Sequence, residues 1–185
     1  SAVVIGGGVL GLEAAWELKK AGLSVTVLEA APILMGRQLD TGSAEILKEM
    51  AAKQGVTIRT GVSVEAIEGD GHVSGVRLAD GETVPAEMVI ISAGVRANTE
   101  LARKMDLEIG RAVKTDSHMA TNVPGVYACG DCAEYEGANF AIWPEAVEQG
   151  RIAGANAAGE ELEYEPVEAA LTFHGMNTAL FAAGD

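Results

Sequence analysis

Six residues near the start of the chain, Gly6-Gly7-Gly8-Val9-Leu10-Gly11, satisfy the pattern G-x-G-x-x-G. Glycines so spaced, between a strand and a helix, bind anions. Gly6 permits a tight turn, Gly8 lets backbone N–H groups approach a pyrophosphate, and Gly11 lets helix and strand pack closely. Val9 and Leu10 then open a helix whose N-terminus faces the negative charge. Glu29 ends the next apolar run, where its carboxylate can accept hydrogen bonds from a ribose 2′-OH and would repel a 2′-phosphate. Ala30-Ala31-Pro32 follow without a cation, and Arg37 reads as a loop residue, so NAD is favoured over NADP. The plainer alternative is a glycine-rich packing turn with no ligand.

Cys129-Gly130-Asp131-Cys132 forms a C-x-x-C, a spacing that makes a redox pair when the local field lowers a thiol pKa. The competing reading, which we favour, is a pair of packing cysteines. Two cysteines do not make a secreted disulfide framework, and His72, His118 and His174 stand apart, so no metal site is expected. No Ser/His/Asp arrangement suggests hydrolysis, and no residue is assigned a catalytic role.

These residues need a scaffold, and hydrophobic periodicity supplies one. Ala2 to Ile5 is a β-branched run suited to a buried parallel strand. A helix is predicted from Leu10 to Ala21, with Leu10, Ala14, Ala15 and Leu18 as its apolar stripe and Gly22 as its stop. Ser24 to Leu28 completes a βαβ unit. A second helix, about Thr41 to Gln54, carries Ile46, Leu47 and Met50 inward, and Val56 to Thr60 is a third strand. The period then falls to two over Val62 to Glu68, His72 to Leu78 and Glu82 to Val84, an antiparallel meander. Met88 to Ile91 returns to the parallel sheet. Beyond it come a short helix near Thr99 to Met105, strands near Ala112 to Lys114 and Val126 to Ala128, a helix from about Glu145 to Ala158, and an apolar stretch, Ala179 to Ala183. The fold class is α/β: a Rossmann-like parallel sheet with crossover helices and a β-meander.

Composition narrows the partners. With 13 Lys+Arg against 27 Asp+Glu over 185 residues, the net charge is -14. Such a surface repels nucleic acid. Apolar runs are too short for a bilayer span and no signal-like start is present, so a cytoplasmic protein is expected. The chain starts at Ser1 without Met and reads as an excised piece.

Three separated signals occur in one order and carry a resemblance. Gly6-x-Gly8-x-x-Gly11-x-Glu13 resembles the NAD(H) loop of two-dinucleotide flavoproteins of the pyridine nucleotide-disulfide oxidoreductase family. Val89-Ile90-Ile91-Ser92-Ala93-Gly94 resembles the crossing from their NAD domain to their FAD domain, although Ala97 stands where a proline is common. Thr121-Asn122-Val123-Pro124-Gly125-Val126-Tyr127-Ala128-Cys129-Gly130-Asp131 resembles their late FAD signature. Trp143-Pro144, Gln149-Gly150 and Ala153-Gly154 are similar to the helix that follows in the branch with rubredoxin reductases, NADH oxidases and nitrite reductase large subunits.

The resemblance implies that Glu13 makes a polar contact near the nicotinamide, that Asp131 touches the ribityl chain of FAD, and that Gly94 and Gly130 are cofactor-binding residues with them. Trp143 then packs near the flavin or in an ordinary core. It also implies residues 1–95 as an NAD(H)-binding domain, 96–160 as part of an FAD-binding domain, and 161–185 as the start of a C-terminal interface domain, with a homodimer as one assembly. The implied function is the NADH-binding portion of an FAD-dependent NADH:acceptor oxidoreductase, lacking the N-terminal FAD-binding half and inactive alone. Its partners are that missing half and an electron-acceptor protein or small acceptor. The alternative is a non-catalytic dinucleotide-binding or redox-sensing module.

Overall fold

In a computed structural model, residues 1–167 and 170–183 are described. In chain order the elements are β1 (Ala2–Ile5), α1 (Val9–Lys20), β2 (Val25–Glu29), α2 (Thr41–Lys53), β3 (Val56–Thr60), β4 (Val64–Gly69), β5 (Val73–Leu78), β6 (Thr83–Pro85) and β7 (Met88–Ile91), followed by α3 (Glu100–Lys104), β8 (Val113–Thr115), β9 (Ala133–Tyr135), α4 (Trp143–Ala157), β10 (Ala170–Gly175) and β11 (Thr178–Ala183). A single 3-10 turn, Gly130–Cys132, precedes β9. The chain divides into two units: Ser1–Gly94 with the C-terminal hairpin, and a second that begins at Val95.

In the first unit, β3-β2-β1-β7 form one parallel sheet, with Val4 opposite both Val27 and Ile90. Helices α1 and α2 make the first two crossovers, and the β4-β5-β6 meander replaces a helix in the third. Strand pleating sorts the side chains. Val3 and Leu28 pack with Val76, Leu78 and Ala86 of the meander side. Val4, Val25, Val27 and Val56 pack instead with Leu12, Ala15, Leu47 and Ala51, joined by Phe173 and Met176 of the β10–β11 hairpin. Helix α1 stops as predicted: Gly22 takes φ +89°, with Leu23 N–H on Leu18 O and Gly22 N–H on Lys19 O, a Schellman closure. Helix α2 starts at Asp40, whose side chain accepts from Ser43 N at 2.7 Å.

The apolar stripes differ from expectation. Leu10 is 68% exposed and Ile46 62% exposed, while the buried faces are Gly11, Leu12 and Ala15 on α1 and Ala44, Leu47 and Ala51 on α2. Small residues let both helices lie close on the sheet, and that displaces the larger neighbours outward.

In the second unit, β8 pairs in parallel with β9. The strand expected at Val126 to Ala128 does not form. Only an isolated bridge joins Ala120 to Tyr127 there, and β9 is the partner that β8 finds. The buried Glu134 carboxylate explains the choice, because it accepts from Arg111 N and from Ala112 N (3.0 Å) and so fastens β9 beside the turn that leads into β8. Among the described residues no helix is long and apolar enough to cross a membrane.

Candidate dinucleotide site

The turn between β1 and α1 is built almost entirely of backbone. Gly6 takes φ +117°, its N–H bonds Leu28 O at 2.8 Å, and the next hydrogen bond outward, Ser92 N to Ile5 O at 2.7 Å, closes the other side. A Cβ on Gly6 would run into the Ser92 carbonyl, and one on Gly11 into the Gly6 carbonyl. Gly8 is the N-cap of α1 and makes no side-chain cap hydrogen bond, and a Cβ there would meet none of the described residues, chain neighbours aside, within 4 Å. Two of the three patterned glycines therefore answer to the protein's own packing, and the third borders open space at a helix N-terminus. Open space beside backbone N–H groups and the positive end of a helix dipole is what a pyrophosphate requires.

Glu29 lies on the lip of this turn. Its Oε2 accepts from Gly7 N at 2.5 Å and its Oε1 from Ala31 N at 2.7 Å, so the carboxylate is aimed by two backbone donors. Each oxygen keeps a lone pair for a further donor. Gly7, a position the pattern leaves open, has no room for a side chain: a Cβ would press on Leu34 and on Glu29. Met35 N–H bonds Gly7 O at 3.0 Å and closes the loop after β2 over it. A glycine in the pattern's open second position, making three in a row, is the sequence signal for this contact. Val9 is half-buried and Glu13 half-buried in the first turns of α1, while Gly94 is exposed after β7 with φ +91°. Arg37 is exposed in the loop before α2.

Gly130 and Asp131 belong to the second unit, in the 3-10 turn. Asn139 Nδ2 donates to Asp131 O (3.0 Å) and to Ala133 O (2.8 Å), and Gln149 Oε1 accepts from Gly130 N at 2.7 Å. The backbone of the turn is thus held on both sides, while the exposed Asp131 carboxylate makes no hydrogen bond to a described residue. Trp143 is 81% exposed at the start of α4, so the ordinary-core alternative for it falls. It ends up outside because α4 begins at Trp143 and turns Glu145, Gln149, Ile152 and Ala153 inward.

The two cysteines flank the same turn. Cys132 is exposed and its Sγ donates to Cys129 O at 3.2 Å, and Cys129 is half-buried. Burial, aided by the neighbouring Cys132, pushes the Cys129 thiol up, the opposite of what a reactive pair needs. Replacing both with serine is expected to leave NADH affinity within about twofold, as for substitutions away from a binding site. Thiol alkylation against pH checks the chemistry; a low-pKa thiol cycling reversibly to a disulfide would sink this reading.

A family profile described as pyridine nucleotide-disulphide oxidoreductase matches residues 1–150. The chain belongs to that family. Its members are FAD-dependent pyridine nucleotide oxidoreductases and are enzymes. Among similar proteins, the nitrite reductase [NAD(P)H] of Bacillus subtilis is 35% identical over 100% of this chain and 23% of its own length. The NADH oxidase of Methanocaldococcus jannaschii is 38% identical over 98% of this chain and 40% of its own. The crystal structure of an FAD-dependent pyridine nucleotide-disulphide oxidoreductase from Desulfovibrio vulgaris superposes with a TM-score of 0.90, at 32% identity, over 99% of this chain and 48% of that one. The chain spans less than half the length of each.

Proposed function

We propose that this chain is the NAD(H)-binding portion, with part of the FAD-binding portion, of an FAD-dependent NADH:acceptor oxidoreductase. The observation that carries the reading is the pairing of Glu29 with the glycine turn, because the acid that would meet the ribose is fixed by the same N–H that shapes the phosphate loop. In this reading residues 1–95 bind NADH: backbone N–H groups at Gly8, Val9 and Leu10 take the pyrophosphate, Glu29 takes the ribose hydroxyls, and Glu13 lies toward the nicotinamide. Residues 96–160 contribute Asp131, whose free carboxylate accepts from a hydroxyl of the flavin side chain, with Gly130 and Gly94 shaping the two turns. Residues 161–185 start an interface domain. When bound, NADH and FAD supply the hydride donor and acceptor, and the protein supplies binding, orientation and electrostatics. Electrons then leave for a carrier protein, oxygen or a nitrite-reducing centre; the names of the two relatives support the last two classes.

Cofactor choice tests the reading. Calorimetric titration is expected to show NADH at least about tenfold tighter than NADPH, because an added 2′-phosphate meets the Glu29 carboxylate as like charge and removes a hydroxyl partner. Glu29→Ala is expected to narrow that ratio and also to weaken NADH itself, since Gly7 N and Ala31 N lose their acceptor. Equal affinity for the two nucleotides in the unmodified protein would remove the argument.

A further inference from the structure

Helix α4 carries a buried polar chain that the functions above do not use. Glu145 is 1% exposed, Gln149 2% and Tyr164 1%. Tyr164 O–H donates to Glu145 Oε2, and Val167 N donates to Glu145 Oε1 at 2.9 Å. Gln149 Nε2 donates to the Tyr164 oxygen at 3.2 Å, and Gln149 Oε1 accepts from Gly130 N at 2.7 Å. Tyr135 stacks edge-on against the Tyr164 ring, with centroids 5.3 Å apart, and keeps it in place.

The order of donors and acceptors leaves one arrangement. A carboxylate only accepts, so Tyr164 must donate to Glu145; its oxygen is then left to accept, which assigns the Gln149 NH₂ to Tyr164 and the Gln149 oxygen to Gly130. A flipped Gln149 amide would set NH₂ against the Gly130 N–H, donor against donor. Buried, the wrong orientation costs a full unmade hydrogen bond at each end. An ordinary packing residue at position 149 needs none of this, and the network terminates on the one residue that precedes Asp131.

We propose that Gln149 is a positioning residue for the Gly130-Asp131 turn, oriented by Tyr164 and Glu145, and that it acts on FAD binding through the Asp131 carboxylate. The inference rests on the reading of Asp131 as an FAD contact. Asn139 holds the Asp131 and Ala133 carbonyls, and Gln149 holds the Gly130 N–H just ahead of Asp131, so the two together set the direction in which Asp131 leaves the turn. Gly130 has φ +70°, and a Cβ there would come within 3.3 Å of Ala146, so α4 sits directly on this turn and transmits the constraint.

A double-mutant cycle on FAD affinity, read by flavin fluorescence in the intact flavoprotein to which the proposed function assigns this chain, tests it. Gln149→Met keeps the volume and loses both hydrogen bonds, and is expected to weaken FAD about tenfold. Tyr164→Phe keeps Gln149 but removes the hydroxyl that orients it and that donates to Glu145, and is expected to weaken FAD about threefold, with faster amide hydrogen exchange at Gly130 in this chain. In the Asp131→Ala background, adding Gln149→Met is expected to change FAD affinity less than about twofold, because a residue that acts through Asp131 has nothing left to position. A merely structural Gln149 gives additive losses, and that result, or no loss from Gln149→Met alone, overturns the inference. If Asp131→Ala itself leaves FAD affinity unchanged, the assignment of Asp131 fails first, and the positioning role goes with it.

Discussion

Gly11→Ala is expected to abolish NADH binding and to lower stability by about 3 kcal/mol, a large loss for one methyl group. The added Cβ falls on the Gly6 carbonyl, and both partners are backbone. No flexible side chain can yield. Relief must come from lifting α1 off the turn, which also breaks the registry of Gly6 with Leu28 and of Ser92 with Ile5. For a chain of this size such a loss lowers the melting temperature by about 10 °C. Gly8→Ala is the control that separates folding from binding. Among the described residues, chain neighbours aside, nothing stands within 4 Å of its Cβ, so the melting temperature is expected to hold while calorimetry shows NADH weakened, the methyl now occupying space the pyrophosphate needs. Equal melting losses for the two variants, or unimpaired NADH binding by Gly11→Ala, would contradict this account of the turn.

The second large effect is an absence of turnover: the purified 185-residue chain is expected to be colourless and not to reduce ferricyanide with NADH, even after FAD is added. G-x-G-x-x-G occurs once in the 185 residues, and the proposed function assigns that copy to NAD. What remains for FAD is Asp131 and its turn. A hydrogen bond to a charged group contributes about 1.5–3 kcal/mol, whereas micromolar binding needs about 8 kcal/mol. Asp131 alone leaves FAD several orders of magnitude too weak to co-purify. An absorption spectrum and a ferricyanide assay decide it, and a yellow protein with NADH-dependent turnover would overturn the division of cofactor sites proposed here.

The first unit was legible where local chemistry and packing agree. Ala2 to Ile5, Val56 to Thr60 and Met88 to Ile91 are strands at their expected positions, because short runs dominated by Val, Ile and Thr suit a pleated, buried sheet. The α1 and α2 stripes were misread at Leu10 and Ile46 because hydrophobicity marks large residues, while close helix–sheet packing selects glycine and alanine. In the second unit Ala133 to Tyr135 gives a weak strand signal, with Glu134 in its centre, and forms a strand because that carboxylate is satisfied by a distant turn. Nothing in the sequence at Gln149, Tyr164 or Glu145, taken one by one, marks a buried network. Only the fold brings an amide, a phenol and a carboxylate into a sequence of donors and acceptors, a property of three positions that no single position reveals.

The place of β1 in the sheet bears on when the binding turn can exist. β1 lies between β2 and β7, and the Gly6 turn is closed by Leu28 on one side and Ser92 on the other. The second closure must wait until the meander has been laid down and β7 has returned. Contacts this distant in sequence form slowly, since the intervening loop is ordered before they repay it. During synthesis the glycine turn leaves the ribosome well ahead of β7, yet it gains its final shape only after residue 92 has followed it out. Under the proposed function, NADH selects chains whose whole parallel sheet has assembled, and nascent chains cut short of β7 are expected not to hold the nucleotide.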